Sequence, residues 1–241
     1  MNFNSGIDFG KRDLVAQGDI LVFGMLGGFV QGALDYKSIV RSFDFDGPEV
    51  GAYATYLNGN LFIDTLFKTQ FLTLDGSAVL GFPDTLHATT YGVRSDMGYR
   101  FGGFDGGIFV EPLLTLAASW NDTEDFHLHG NTVNLGDESN VRGRVGLRAG
   151  TTTSGWAGTI MEPFIVASLW GTLSGDHNAS LTSTGTTFHF SDEPDDLWGV
   201  LSAGVNFFNM DTRTVVFGKF DVVFGDETDG VAAKAGMRVS W

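Results

Sequence analysis

Charged side chains at every second position are the groups in this sequence that could do chemistry. They lie in segments where polar and apolar residues alternate, and this period places each set on one face of a β-strand. Carboxylates and guanidinium groups on such a face can pair with each other or bind a polar polypeptide laid against them. The set predicted to face inward is Asp64, Lys68, Arg94, Asp96, Arg100, Glu111, Arg142, Arg144, Arg148, Glu162, Lys219, Asp221, Lys234 and Arg238.

Structural ion pairing is the simplest role for these side chains. Guanidinium groups and carboxylates that share an enclosed space neutralise one another, and this pairing is compatible with contact to an inserted segment. The expected pairs join Arg142, Arg144 and Arg148 to Asp64, Asp96, Glu111 and Glu162.

The elements that position these residues are strands, and the stretch from Asp229 to Trp241 shows their pattern most clearly. Every second residue up to Val239 and Trp241 is apolar, while Lys234 and Arg238 occupy the other face. An edge strand of a soluble sandwich would show this alternation. A strand of an outer-membrane barrel would show it too, and would also account for the final aromatic, because aromatic residues lie at membrane interfaces.

The whole chain predicts eleven such strands. They span residues 3–9, 20–32, 50–56, 61–72, 87–101, 107–120, 141–150, 159–171, 197–208, 214–224 and 229–241. Short connections at 11–18, 57–60, 102–106, 151–158 and 209–213 alternate with long ones at 33–49, 73–86, 121–139, 172–196 and 225–229. A polar alternating stretch in 172–196 predicts a hairpin beyond the membrane. Alternating turns and loops are typical of up-and-down transmembrane barrels, and a Greek-key sandwich would not sort its loops this way.

Charge and composition favour the membrane barrel over the sandwich. The predicted outward sets carry no charged residue, whereas the second face of a soluble sheet would meet water and carry Lys or Glu. A charge at mid-bilayer costs about 2–4 kcal/mol, which explains its absence. The 241 residues contain no Cys and no apolar run long enough for a membrane helix. The net charge of −15 argues against nucleic acid as a partner.

Seven segments follow one another along the chain, and they are GID at 6–8, GAYATYLNGNLFIDT at 51–65, SDMGYRF at 95–101, FVEP at 109–112, VRGRVGLRAG at 141–150, MEPF at 161–164 and AGMRVSW at 235–241. Taken in this order, they resemble the translocator β-domain of autotransporters, the type V secretion proteins of Gram-negative bacteria. The resemblance covers residues 6–241. It implies an all-β, antiparallel, up-and-down barrel of the twelve-stranded type in the bacterial outer membrane, which anchors an N-terminal passenger and helps to translocate it to the cell surface.

The resemblance also implies partners. These are outer-membrane lipid and lipopolysaccharide, the chain's own passenger or linker segment in the lumen, and the barrel assembly machinery. The last would read Val239 and Trp241 on the final strand as an assembly signal. Some members of the family cut their own passenger with acidic lumen residues. Asp64, Glu111 and Glu162 face inward here, but structural ion pairing is the preferred interpretation.

Two other classes of function stay open. One is a small porin-like or adhesin-like outer-membrane barrel without a passenger. The other is a barrel hydrolase, which needs a His held beside a carboxylate or Ser at the barrel rim. No spacing in the sequence demands such a pair, and His127 and His129 on one loop are at most a weak metal site. We therefore predict no catalytic residue, no cofactor and no metal.

Strand parity predicts that one strand lies outside residues 1–241. Bacterial single-chain barrels have an even number of strands, with short turns on the periplasmic side. The last strand would then end at Trp241 on the periplasmic side. Counting the strands back from it, the segment at 3–9 runs from the outer side of the membrane to the periplasmic side, as the second strand of such a barrel does. We therefore expect residues 1–241 to be a translocator domain lacking its first strand and the upstream passenger, with a gap beside the last strand.

Overall fold

The fold is an antiparallel, up-and-down β-barrel with one open seam, seen in a computed structural model. The structure describes residues 1–36, 41–75, 85–103, 106–128, 131–134, 138–155, 158–176, 178–183, 186–191, 197–226 and 229–240. Trp241, half of the predicted assembly signal, lies outside these residues. The strands are β1 (Asn2–Arg12), β2 (Ile20–Tyr36), β3 (Arg41–Asn58), β4 (Leu61–Asp75), β5 (Leu86–Tyr99), β6 (Phe101–Gly102), β7 (Gly107–Thr123), β8 (Phe126–Leu128), β9 (Asn131–Asn134), β10 (Glu138–Ser154), β11 (Thr159–Asp176), β12 (Asn178–Ser183), β13 (Thr186–Ser191), β14 (Leu197–Asn209), β15 (Thr214–Gly225) and β16 (Asp229–Val239).

Eleven strands form the main sheet, in the order β1-β2-β3-β4-β5-β7-β10-β11-β14-β15-β16. The two-residue β6 pairs with β7 beside this path. Each long strand pairs with its predecessor along the chain, so the eleven predicted strands and their meander order are confirmed. None of the described residues forms a helix long and apolar enough to cross a bilayer.

Several hairpins extend further than the sequence predicts. Residues 33–49 were expected to be a long connection, but β2 continues to Tyr36 and β3 already begins at Arg41. This expectation was wrong because Asp-rich composition resembles a loop, whereas a hairpin that leaves the membrane can extend its backbone ladder with polar residues. Glu49, which was assigned to that connection, therefore lies inside β3.

A second, four-stranded sheet extends part of the main sheet at the end of the barrel that carries the long connections between strands. Its order is β13-β12-β9-β8. In the chain, β13 comes directly before β14, β12 directly after β11, β9 directly before β10 and β8 directly after β7. The small sheet therefore repeats the order of four neighbouring strands of the main sheet. The predicted hairpin within residues 172–196 is present as the antiparallel pair β12 and β13.

The sheet curves until its first and last strands approach each other. Arg100, directly after β5, reaches Glu162 on β11, which requires the face that carries them to be concave. Arg238 of β16 reaches Asp8 of β1 on the same face. Large apolar side chains on the convex face stay exposed, for example Val145 at 57%. Such a surface is what an apolar band in lipid requires.

The seam between β1 and β16 is open. All ten pairings along the sheet are antiparallel, so β1 and β16 run in the same direction. β1 begins at the end with the long connections, because Asn2 pairs with Val30. β16 ends at the short-turn end, where the Ser240 amide donates to the Arg213 carbonyl. No pairing joins β1 to β16 within the described residues, and a cavity of about 740 Å³ lies between them.

Candidate functional site

The concave face is the candidate functional site, because the strand register brings the predicted inward residues onto it. Register partners share a face of a sheet. Asp64 is the partner of Asp96, and Glu111 is the partner of Arg148. The remaining members lie on the same face, at steps of two along these strands or through the register of the strands that follow, and they are Lys68, Arg94, Arg100, Arg142, Arg144, Glu162, Lys219, Asp221, Lys234 and Arg238.

Asp96 is the centre of the largest polar cluster on this face. The Nε and Nη2 atoms of Arg94 donate to its two carboxylate oxygens at 2.6 and 2.8 Å. The Thr115 hydroxyl donates to Oδ1 at 2.6 Å, and Nη1 of Arg144 lies 3.9 Å from the same oxygen. Two cations therefore share one carboxylate, and the local charge is positive.

Two further ion pairs lie nearer the short-turn end. Arg148 Nη1 is 3.3 Å from Glu111 Oε1. Arg100 Nη2 is 2.5 Å from Glu162 Oε1, and this carboxylate also accepts a bond from the Thr152 hydroxyl at 2.8 Å. Both glutamates are buried, at 4% and 6% exposure. Buried carboxylates need such partners, because an unpaired charge out of water is costly.

The three arginines expected to form pairs behave differently from one another. Arg144 reaches Asp96 and Arg148 reaches Glu111, as expected. The expected pairing does not hold for Arg142, whose guanidinium lies over the ring of Trp198, 5.4 Å from its centroid. The contact that each of these arginines makes is therefore determined by which side chains lie within its reach on neighbouring strands, and not by charge alone.

The two remaining acids of that expected set also have other partners. Glu162 takes Arg100 rather than one of the three arginines. Asp64 accepts a hydrogen bond from the hydroxyl of Thr55, its register partner on β3, at 2.5 Å.

Lysines on the concave face have mixed surroundings. Lys219 Nζ is 2.9 Å from Asp221 Oδ1 on the same strand. Lys234, on the edge strand β16, is the register partner of Lys219. Lys68 Nζ is 2.6 Å from Glu49 Oε2, and the Gln70 amide donates to the same oxygen at 2.7 Å.

Sequence reasoning missed several residues of this face. Glu49 was hidden by its Asp-rich neighbours, although it lies two positions before the alternating set of β3. Trp170 and Trp198 stack with an interplanar angle of 5° on the same face, and Arg94 lies 5.5 Å from the ring centroid of Trp170. The inward parity of both tryptophans follows from their strands. Their contact depends on the register between β11 and β14, which only the structure shows.

A cavity of about 310 Å³ lies within the concave face. Its polar lining consists of Asp64, Asp96, Glu111, Arg144, Arg148 and Asn206. Acids and bases are thus mixed along one wall. The space can accommodate side chains of either charge from an inserted polypeptide.

Two further expectations from the sequence concern Val239 on the final strand and the absence of a metal site. Val239 is the register partner of Thr214 and is 45% exposed. In the described part of the chain, no group of three or more His, Cys, Asp or Glu residues could hold a metal ion. His129, one of the two histidines of the weak motif, lies outside the described residues.

One family model matches most of the chain, and solved structures share its fold. A family model described as "Autotransporter beta-domain" matches residues 4–221. The β domain of the Bordetella autotransporter BrkA is similar, with a TM-score of 0.76 and 19% identity over 100% of this chain and 90% of that one. The transport unit of the Escherichia coli autotransporter AIDA-I gives a TM-score of 0.72 and 16% identity, over 100% and 81% of the two chains. No sequence among curated proteins matches this chain.

Proposed function

Because the chain belongs to the autotransporter β-domain family, we propose that its concave face holds the segment that connects the barrel to its passenger. The domain anchors an N-terminal passenger in the outer membrane and helps to translocate it to the cell surface, as the family's translocator domains do. The family's function is translocation rather than catalysis, and we assign no catalytic role to this chain.

The observation that supports a lumen-bound segment is the unequal pairing of the concave charges. Arg142 and Asp64 belong to no ion pair within the described residues, while their neighbours do. The Arg142 guanidinium packs over the ring of Trp198, and the Asp64 carboxylate accepts a hydrogen bond from the Thr55 hydroxyl. Each can exchange that weak contact for an oppositely charged side chain of the inserted segment at little cost, since neither has an ion pair to break.

The dimensions of the barrel set the form of that segment. Eight-stranded barrels are filled by their own side chains, and sixteen-stranded ones hold a water channel. An eleven- or twelve-stranded wall lies between these sizes. A helix with side chains is about 10–12 Å across, so one helix or one extended hairpin fits, and a folded domain does not.

We also propose the outer membrane as the location of this chain, with lipid and lipopolysaccharide against its convex face. The exposed apolar side chains of that face support this, as for Ile165 at 60% and Leu201 at 52%. The family is an outer-membrane family of Gram-negative bacteria.

The seam supports a second part of the proposal, a strand N-terminal to β1. An open edge in lipid leaves backbone N–H and C=O groups unpaired, at several kcal/mol for each group. A strand running opposite to β1 and β16 would be antiparallel to both. Such a strand would run toward the long-connection end, where β1 begins. A single loop could then join the two.

The C-terminal strand is the proposed contact for the barrel assembly machinery. Val239 is exposed on the edge strand β16, and Trp241 follows it at the same parity. Deleting Trp241 from the full-length protein should lower its outer-membrane level in cells, with little change in the heat stability of the barrels that do assemble. Wild-type levels after the deletion would reject the signal.

Photo-cross-linking tests the lumen assignment. A photoreactive amino acid replaces Asp64 or Arg142 in the full-length protein, expressed in bacteria, and the matched control carries it at Val145 on the convex face. We expect the two concave positions to cross-link to the protein's own segment upstream of the barrel, and Val145 not to. Equal cross-linking from both faces, or none from the concave face, would contradict the proposal.

A further inference from the structure

Positive charge outweighs negative charge on the concave face, although the chain as a whole is acidic. We call lumen charges the predicted inward set together with Asp8 and Glu49, which the register places on the same face. They comprise nine Lys and Arg residues and seven Asp and Glu residues. The net charge of the chain is −15, so its acidic excess lies outside the lumen charges.

Four of the seven lumen carboxylates are matched by one cation each. Each of these pairs is neutral and adds no net charge to the lumen. The four pairs are Arg100 with Glu162, Arg148 with Glu111, Arg238 with Asp8, and Lys68 with Glu49. The excess of cations must therefore lie among the other lumen charges.

A first surplus cation lies in the arginine cluster, which consists of Arg94, Asp96 and Arg144. The carboxylate of Asp96 is 2.6 Å from Nε of Arg94 and 3.9 Å from Nη1 of Arg144. Two guanidinium groups thus share one carboxylate. The cluster keeps one positive charge that no carboxylate within it neutralises.

A second surplus cation lies in the lysine cluster, which consists of Lys219, Asp221 and Lys234. Lys219 Nζ is 2.9 Å from Oδ1 of Asp221. Lys234 is the register partner of Lys219 on the last strand, and it interacts electrostatically with the same carboxylate. Two ammonium groups again share one carboxylate. The two remaining lumen charges, Arg142 and Asp64, are opposite in sign and balance in number.

The two clusters interact with each other across the concave face. Lys234 experiences the charge of Arg94, and Arg144 experiences the charge of Asp221. Because β11 and β14 lie between β10 and β15 in the sheet, these interactions cross the space that the curved face encloses. Like charges that face one space repel each other, and a small anion between them offsets this repulsion.

Charge at the outer mouth of the barrel has the opposite sign. Residues 121–139, 172–196 and 225–229 together contain thirteen Asp and Glu residues and no Lys or Arg. These connections lie at the long-connection end, where bulk salt screens them, and the screening length is about 3 Å at 1 M salt. An ion inside the lumen, by contrast, must pass directly by the two clusters. Rings of Arg and Lys in a pore select anions.

We propose that the lumen binds small inorganic anions between the arginine and lysine clusters and passes them in preference to cations. This goes beyond the proposed function and does not depend on which passenger the barrel carries. The segment in the lumen does not have to leave, because the cavity of about 310 Å³ beside Arg144 has room for a hydrated ion. At about 30 Å³ for each water molecule, this volume corresponds to roughly ten waters.

The reversal potential of the full-length protein in a planar bilayer of zwitterionic lipid tests this preference. Potassium chloride is present at about 1 M on one side and about 0.1 M on the other, so that the acidic mouth is well screened on the concentrated side. We expect the current to reverse at a voltage with the sign of the chloride equilibrium potential. Reversal at zero or on the potassium side would overturn the proposal, and so would the absence of any current.

A double variant locates the preference in the two clusters. Arg144→Gln with Lys234→Gln leaves one cation for each shared carboxylate and equal numbers of positive and negative lumen charges. We expect its reversal potential to move from the chloride side to zero or beyond. The matched control, Arg238→Gln with Asp8→Asn, removes one charge of each sign from the same face. We expect this control to keep the wild-type reversal potential.

Asp64→Asn provides a change in the opposite direction. Asp64 belongs to no ion pair within the described residues, and an asparagine can still accept the hydrogen bond from Thr55. This variant increases the surplus of positive charge, so its reversal potential should move further toward that of chloride. Folded mobility in a heat-modifiability gel confirms that each variant assembles. If the double variant does not assemble, Asp64→Asn decides, because an unchanged reversal potential would overturn the assignment.

The outcomes separate this inference from the proposed function. A double variant with the full wild-type anion preference would show that the two clusters do not cause it. Loss of the anion preference in wild type, with cross-linking from Asp64 and Arg142 to the upstream segment intact, would overturn anion binding and leave the lumen-bound segment standing.

Discussion

Arg238 on the last strand bridges the open seam to Asp8 on the first, with 2.7 Å between Nη2 and Oδ1. The Tyr53 hydroxyl donates to the other oxygen of the same carboxylate at 2.7 Å. Side chains thus connect two strands whose backbones do not pair. A strand between them would place β1 and β16 about twice the 4.7–4.9 Å strand spacing apart, a span that a long arginine side chain can still cover.

The bridge from Arg238 to Asp8 should contribute little stability by itself. The Arg238 side chain is 51% exposed, and exposed pairs contribute about 0.2–1 kcal/mol. We expect Arg238→Ala and Asp8→Ala to lower the unfolding free energy in detergent, with a coupling energy in that range. A double-mutant cycle against wild type measures the coupling. A coupling near zero would show that the two side chains do not interact in solution.

Breaking the pair between Glu49 and Lys68 should be more damaging. The Glu49 side chain is fully buried, and Lys68 Nζ is 2.6 Å from its carboxylate. Removing one partner of a buried pair costs about 3–5 kcal/mol, because the other charge is left uncompensated. We expect Lys68→Met to destabilise the barrel by this order in a urea titration. Adding Glu49→Gln should restore much of the loss, and a double variant that is no more stable than Lys68→Met would contradict the pairing.

Asp19 should make the first short turn sensitive to acid. Burial raises the pKa of the Asp19 carboxyl, but hydrogen bonds from the backbone amides of Ala16, Leu14 and Val15 together lower this pKa by more. The net pKa of Asp19 therefore lies below the ordinary 3.8. A group with a depressed folded pKa stabilises the fold above its unfolded pKa and loses this effect as pH falls through its folded pKa. The stabilisation should therefore be complete at neutral pH and fade below about pH 4.

Comparison of wild type with Asp19→Asn from pH 7 to pH 2 checks this pH dependence. The wild type should be more stable at neutral pH, and the difference should shrink as the pH falls below 3.8. A difference that stays constant across this range would mean that ionised Asp19 does not hold the turn.

Two valines on opposite faces provide a matched test of the wall. Val145 is a convex residue at 57% exposure, whereas Val200 is the register partner of the concave Ser168. An arginine at mid-bilayer on the lipid face costs about 2–4 kcal/mol. Val145→Arg should therefore block assembly in a heat-modifiability gel far more than Val200→Arg. Equal effects would refute the assignment of faces.

Strand positions and faces could be predicted from the sequence because each depends on local alternation. The polar set from Asp64 to Arg238 shares one face in the structure for this reason. Individual contacts could not be predicted, because they depend on the register between strands that are distant in sequence. Arg100 therefore reaches Glu162 across three intervening pairings, and Trp170 meets Trp198. The hairpin of β12 and β13 was predicted, but its pairing with β8 and β9 was not. This pairing joins two connections that are distant in sequence.

Fluorescence quenching at single cysteines tests the central claim most directly, that the convex face meets lipid and the charged face encloses an aqueous lumen. The chain has no native cysteine, so a polarity-sensitive probe can be attached at Val145→Cys or Ile165→Cys on the convex face, or at Ser168→Cys on the concave face. In proteoliposomes, spin-labelled lipid should quench the two convex probes, and aqueous iodide should quench the concave one. Iodide quenching of the convex probes, or lipid quenching at position 168, would contradict the account.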